Sequence, residues 1–468
     1  MKKRMYSKIA SVVAACTMSF ATVLGGCGSA TPSQPTGTDS ILNQSITVNS
    51  DTSITTSSAS SADKITLHTM TRWSGSDGTT SVWNEAIKAF EAANTNITIV
   101  DDSISDESAY NNKFKALIAT GDIPNIFYSP EVASLAPYAK NGLIMDITPL
   151  MEDKSWYNGF SEGVFENWNF ETYGVKGYYG VPISGGTENF YYNKDLFAKA
   201  GITETPQTME ELSSDIDKLA AIGVTPWELG AKDTWRVGHI LNNVLYKICG
   251  VQKAKDIGAR TAKWTDSDVV AALQCIKDLQ GKGAFGENPA DVSYAQEEAD
   301  FLDGKSALML NGVWVVSDVL KSNISDKIGT FAFPYFKDKP QYKNEGVSYP
   351  QGLQLSGKAT GAEKDAQIAF IKFLTSKEWA EKFVEATQRT PVRKDVDVKS
   401  LNLSSIFDDV VTIQENMKSI GGDTFDFDPL ASMPDRTRNS LIGMLLNNGA
   451  DAATAAAQEI QSEIDSNG

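Results

Sequence analysis

Histidine and cysteine are scarce in this chain: 468 residues hold two histidines, His68 and His239, and four cysteines. A histidine-based triad would rest on one of those two, and neither has a Gly-x-Ser-x-Gly elbow to serve. Patterns of the Cys-x-x-Cys, His-x-x-x-His and P-loop types are missing as well. The acidic stretch Asp101-Asp102 and Asp106-Glu107 lacks the Asp-x-Asp-x-Asp-Gly frame of a calcium loop, so it reads as solvated acid. No fixed-period repeat points to a solenoid. Nothing in these patterns asks for a metal or a cofactor. Positive charge is also in deficit, with 42 Lys and Arg against 59 Asp and Glu and a formal net charge of -17, which argues against nucleic acid.

What is present begins with Lys2, Lys3, Arg4 and Lys8, followed by an uncharged run from Ile9 to Leu24, the layout of a secretory signal peptide. Leu24-Gly25-Gly26-Cys27 follows directly and resembles a bacterial lipobox. That resemblance implies a signal over residues 1–26, cleavage before Cys27, and a diacylglycerol on its thiol. Loss of those four cations moves the net charge from -17 to about -21. Residues 28–63 are rich in Ser, Thr, Pro, Gly, Asn and Gln and suit a tether, roughly 30–35 Å in root-mean-square span as a flexible coil. Only Cys249 and Cys275 then remain, free either to pair in an oxidising compartment or to stay as small buried residues.

From Lys64 onward there is enough chain for two cores, and no second long apolar run. Ile65 to Met70 alternates as a strand, and Val82 to Ala93 places Trp83, Ile87 and Phe90 on one helical face. Strands at Ile97 to Val100, Ile126 to Tyr128 and Phe190 to Tyr192 are interleaved with helices at Tyr110 to Ala119, Val132 to Lys140 and Met209 to Ala221. The last third reads as helical at Lys364 to Thr375, Lys377 to Thr387, Arg438 to Leu446 and Asp451 to Ile464. Such alternation predicts an α/β fold.

The segments also resemble a family in their order. Gly121-Asp-Ile-Pro-Asn-Ile-Phe-Tyr-Ser-Pro130 is followed by Gly142-Leu-Ile-Met-Asp-Ile-Thr-Pro-Leu150 and Tyr179-Gly-Val-Pro182. Then come Tyr192-Asn-Lys-Asp-Leu-Phe-Ala-Lys-Ala-Gly201, Gly304-Lys-Ser-Ala-Leu-Met-Leu-Asn-Gly-Val-Trp314, Phe333-Pro-Tyr-Phe336 and Thr390-Pro-Val-Arg-Lys-Asp395. The series resembles the carbohydrate-type extracellular solute-binding lipoproteins of ABC importers, a maltose-binding-protein-like group. Asn125 stands where that family usually has Asp.

The resemblance implies a two-lobed, periplasmic-binding-protein-like α/β fold that closes on ligand about a hinge. Lobe 1 would take residues 64–184 plus 352–394, and lobe 2 residues 185–351 plus 395–468. The implied function is an extracellular receptor for a sugar, an oligosaccharide by expectation. It would act as a monomer, hand its ligand to permease subunits driven by a separate ATPase, and stay lipid-anchored on a Gram-positive-type envelope.

A pyranose presents C–H faces and a rim of hydroxyls, so its receptor needs aromatic platforms and planar polar groups. Trp73 and Asp77 lie in the loop after the first strand, where ligands sit in open α/β sheets. Trp235 and Arg236 occupy a glycine-bounded loop, and Glu188 lies near the expected lobe crossing. Asn125 and Tyr128 follow from the strand motif, Trp314 from the family's stacking aromatic, and Arg436 from the start of a late helix. Two other readings remain. A lipid-anchored glycoside hydrolase would need a carboxylate pair about 5–10 Å apart, which no spacing singles out. An adhesive surface lipoprotein would not need this strand and helix alternation.

Overall fold

A computed structural model describes residues 64–75, 78–129, 132–430 and 432–467. The signal, Cys27, the tether and Asp77 lie outside the described residues. Eleven strands are present among those described: β1 Ile65–Met70, β2 Ile97–Asp101, β3 Ile126–Tyr128, β4 Val181–Ser184, β5 Glu188–Asn193, β6 Thr225–Trp227, β7 Ser306–Gly312, β8 Ile328–Phe331, β9 Glu345–Val347, β10 Gln351–Leu355 and β11 Ser419–Gly421.

They form a five-stranded sheet in the order β2-β1-β3-β10-β4 and a four-stranded sheet in the order β6-β7-β5-β8, with β9 and β11 paired separately. In the first sheet β1 runs parallel to both β2 and β3, and β10 returns antiparallel between β3 and β4. In the second, β5 is antiparallel to β7 and β8, and β6 is parallel to β7.

Side chains pack on both faces of each sheet, although at the β1–β2 edge of the first Thr66, His68, Thr98 and Val100 are exposed. Successive strand residues point to opposite sides, so Ile126 packs with Leu67, Trp83, Phe370 and Trp379, while Phe127 packs with Tyr110, Phe114 and Trp168. Likewise Phe190 joins Leu212, Trp227 and Leu241, whereas Tyr191 joins Met309, Val316 and Val410. Helices therefore cover each face, which makes two α/β/α lobes. The expected helices at Met209–Ala221 and Lys377–Thr387 are found at those bounds. The first begins in a capping box, where Thr208 Oγ1 accepts the Glu211 N–H at 3.3 Å and Glu211 Oε2 accepts the Thr208 N–H at 3.2 Å.

The chain passes between the sheets at Gly185–Thr187 and at Ser348–Pro350. The two passages are bonded together: the Gly186 carbonyl accepts from the Tyr349 N–H at 3.1 Å and from Ser348 Oγ at 2.7 Å. A side chain on Gly186 would collide with Val313. Gly185 N–H donates to the Thr390 carbonyl at 2.8 Å, which brings a third segment to the same place. Cys249 and Cys275 are free thiols, each pushed up to about 12 by burial.

Candidate functional site

A cavity of about 360 Å³ opens between the lobes and takes its walls from both. On the first side the loop after β1 supplies Arg72 and Trp73. Thr71 fixes that loop: its hydroxyl accepts the Trp73 N–H at 3.0 Å, and its own N–H donates to Ser103 Oγ at 2.8 Å. Trp73 stands edge-on to Trp83, 5.2 Å between centroids, and 6.0 Å from Tyr128. Arg72 Nη1 lies 2.8 Å from Glu107, the first residue of the helix Glu107–Thr120, where the helix dipole favours an anion. Burial raises the pKa of Glu107, Arg72 pulls it down, and Asp233 of the opposite lobe pushes it up further.

On the second side three aromatic rings meet. Trp235 is 5.0 Å from Tyr294 and 6.4 Å from Trp314. The Tyr294 hydroxyl accepts from Trp314 Nε1 at 3.1 Å and from Asn311 Nδ2 at 3.2 Å, and the Glu298 carboxyl is near it. Glu298 is pushed up to about 7, chiefly by burial, with Asp318 and Glu297 adding to the effect. Farther along, Asp423 receives Arg438 Nη2 at 2.9 Å and Asn242 Nδ2 at 3.0 Å. Burial opposes the charge on Asp423, but Arg438, His239 and the hydrogen bonds from Asn242 and the Phe425 N–H together outweigh it and hold the carboxyl below its usual range.

Beneath the rings runs a buried ionic layer. Arg236 Nε and Nη2 donate to Glu297 at 2.9 and 2.5 Å, and Nη2 also reaches the Leu310 carbonyl. Glu188 accepts from Asn243 Nδ2 at 2.6 Å, lies 2.8 Å from His239 Nδ1, and is 3.8 Å from Arg236 Nη1. His239 reaches the cavity wall, stacked on Tyr349.

Of the residues singled out from sequence, Trp73, Tyr128, Trp235 and Trp314 line the cavity. Four others do not. Glu188 and Arg236 belong to the buried layer, where their charges are matched inside the protein and cannot serve ligand hydroxyls. Asn125 is buried too, accepting the His68 N–H at 2.7 Å and donating to Glu363 at 2.6 Å. Arg436 is an exposed residue paired with Glu463, and Arg438, two positions on, faces the cavity instead. The segment Trp235–Ile248 is a helix from its first residue, not a loop.

Sequence reasoning missed Arg72, Glu107, His239, Tyr294, Glu298, Tyr349, Gln351, Arg389 and Asp423 in the lining. Arg72 was within reach, since it precedes Trp73 in the loop at the carboxyl end of β1.

As a chemical surface the cavity offers flat rings from both lobes and, between them, carboxylates, guanidinium groups and amides. It can therefore hold a polyhydroxylated ring by its faces and its edge together. The described residues contain no group of three or more His, Cys, Asp or Glu side chains able to hold a metal ion. No helix among them is long and apolar enough to cross a membrane.

Comparison with known proteins agrees with this geometry. The chain is similar to a multiple sugar-binding protein of Streptococcus mutans, 23% identical over 337 residues, which cover 70% of this chain and 75% of that one. It is also similar to a putative ABC transporter periplasmic-binding protein of Escherichia coli, 23% identical over 66% of this chain and 68% of the relative. Among solved structures, a chitin oligosaccharide binding protein superposes with a TM-score of 0.76 at 25% identity, covering 86% of this chain and 99% of that one. The family model described as bacterial extracellular solute-binding protein matches residues 85–402, and the chain belongs to that family.

Proposed function

We propose that this protein is a sugar receptor of an ABC importer, and that the cavity between its lobes is the ligand site. The observation that carries this reading is the cavity's make-up: Trp73 and Tyr128 of one lobe oppose Trp235, Tyr294 and Trp314 of the other, with Glu107, Asp423 and Arg438 at the edges. Rings stack on pyranose C–H faces, and the charged and amide groups bond the hydroxyl rim. The names of the sugar-binding relatives support the same class.

Contact with both lobes would stabilise the closed form, and a permease would read that form. No bond is made or broken in this mechanism, and a separate ATPase would drive uptake. The same reading takes lobe 1 as residues 64–184 plus 352–394 and lobe 2 as 185–351 plus 395–468. It assigns residues 1–26 to a signal peptide and Cys27 to a lipid anchor, with 28–63 a tether holding a monomeric receptor near its permease on a Gram-positive-type envelope. Lobe closure uses the Gly185–Thr187 and Ser348–Pro350 passages as hinges.

A thermal-shift panel of mono- and oligosaccharides tests the function. At least one sugar should raise the melting temperature, because ligand binding to the folded state stabilises it by mass action. A panel in which no sugar shifts the transition would overturn the reading.

A further inference from the structure

The helix Trp235–Ile248 serves the cavity on two sides. Trp235 and His239, one turn apart, line the wall directly. Gly238, Asn242 and Tyr246 form a second row at four-residue spacing, and that row grips the chain at residues 421–425. A side chain on Gly238 would come within 2.9 Å of the Phe425 ring, and the Tyr246 hydroxyl donates to the Gly422 carbonyl.

Asn242 is the middle of the row and is fully buried. Its Nδ2 donates to Asp423 Oδ1 at 3.0 Å and to the Tyr349 hydroxyl at 2.9 Å, while its Oδ1 accepts the Thr424 N–H at 3.1 Å. Turned over, the amide would set an oxygen against the carboxylate and an NH2 group against an N–H, so the network fixes its orientation. Two of these three partners, Asp423 and Tyr349, line the cavity. The Asp423 carboxylate also accepts the Phe425 N–H at 3.0 Å on Oδ1 and Arg438 Nη2 at 2.9 Å on Oδ2. An ionised carboxylate has about four acceptor positions, so these three donors orient Asp423 and leave one position for a hydroxyl.

We propose that Asn242 is a positioning residue for sugar binding, holding Asp423 where its carboxylate accepts a ligand hydroxyl. This inference rests on the sugar-receptor reading and adds to it a side chain behind the cavity wall that sets affinity. The guanidinium of Arg438 ends a long side chain and can follow a carboxylate that moves. Asn242 has a short side chain on a buried helix and cannot. Without it Asp423 keeps its arginine but loses a bond that sets the plane of its oxygens, and a hydrogen bond to ligand weakens steeply as its angle departs from linear.

A double-mutant cycle on sugar affinity provides the test. Titration calorimetry of the purified protein uses maltotriose, raffinose and the β-1,4-linked trimers of xylose and N-acetylglucosamine as probes, and the tightest binder is carried through the cycle. Asn242→Ala should weaken binding at least tenfold. In an Asp423→Ala background the same substitution should cost less than threefold, because the group it positions is gone. A loss below tenfold in the wild-type background, or of threefold and more beside Asp423→Ala, overturns the proposal and leaves the sugar-receptor reading in place. Should an alanine variant fail to fold by circular dichroism, Asn242→Asp decides: it has the same shape, keeps the acceptor for Thr424 and sets an oxygen against Asp423. A tenfold or larger loss of affinity in that variant supports the proposal, and a smaller one overturns it. Binding by none of these sugars, nor by any in the wider panel, removes the receptor reading and this inference together.

Discussion

The imidazole of His239 and the ring of Tyr349 lie face to face, 4.0 Å between centroids and 10° from parallel. The pair ties the helix Trp235–Ile248 to the Ser348–Pro350 passage between the lobes, at the wall of the cavity. Tyr349→Ala should weaken sugar affinity by about tenfold or more, since it removes a cavity ring and loosens that tie. Tyr349→Phe keeps the stack and loses only the bond from Asn242 Nδ2 at 2.9 Å, a change of about 1 kcal/mol in stability. Calorimetry and urea unfolding of the two variants check this, and wild-type affinity in Tyr349→Ala would take the pair out of the ligand site.

Trp314 contributes a ring to the cavity and is only partly buried within the protein itself. Trp314→Ala should therefore reduce sugar affinity by well over tenfold, with an unfolding midpoint close to that of wild type. Affinity unchanged by calorimetry would show that the ring does not stack on ligand.

Arg236 and Arg436 were both candidates from sequence, and their surroundings now separate them. Arg236→Met leaves Glu297 buried without its partner, a loss of about 3–5 kcal/mol of stability. Arg436→Ala breaks an exposed pair with Glu463 and should stay within about 0.5 kcal/mol of wild type, with sugar affinity intact. Denaturant titration of both proteins distinguishes the two roles, and similar unfolding midpoints would contradict the assignment.

The strands and amphipathic helices were legible because they carry their own period. Met209–Ala221 has Leu212, Ile216 and Leu219 on one face and a capping residue at its start. The start of the helix Trp235–Ile248 was not, because Gly230 and Gly238 bracket it like a loop and Thr234, at its N-terminus, makes no side-chain cap to announce it. For the site, aromatic residues next to strand ends could be picked out one at a time. Charged residues could not, since their roles depend on partners remote in sequence: Arg236 meets Glu297 61 positions away, and Asn125 meets Glu363 238 away. Arg436 and Arg438 share one short stretch of helix, and only the tertiary packing decides which of the two turns to the cavity.

Stability should depend on pH through Glu298. Its carboxyl is raised from the ordinary 4.5 to about 7 in the folded protein, so the folded state holds the proton more tightly than the unfolded chain. The resulting stabilisation is fully present below about pH 4.5 and is lost as pH rises through 7, on the order of 1–3 kcal/mol. Glu228, also raised to about 7 by burial and by Asp300, acts in the same window. Urea unfolding at pH 5 and pH 8 should show a smaller difference for Glu298→Gln than for wild type. Equal differences in the two proteins would mean that Glu298 is ionised at neutral pH in the folded state.

A receptor of the proposed kind binds sugar in the cavity between its lobes and makes or breaks no bond in it. The decisive measurement is to titrate the purified protein with oligosaccharides in the calorimeter while the same samples are assayed against a chromogenic glycoside. Saturable binding of at least one sugar, greatly weakened in Trp314→Ala, together with no release of chromophore, is the predicted result. Hydrolysis of the glycoside with no saturable sugar binding would contradict it.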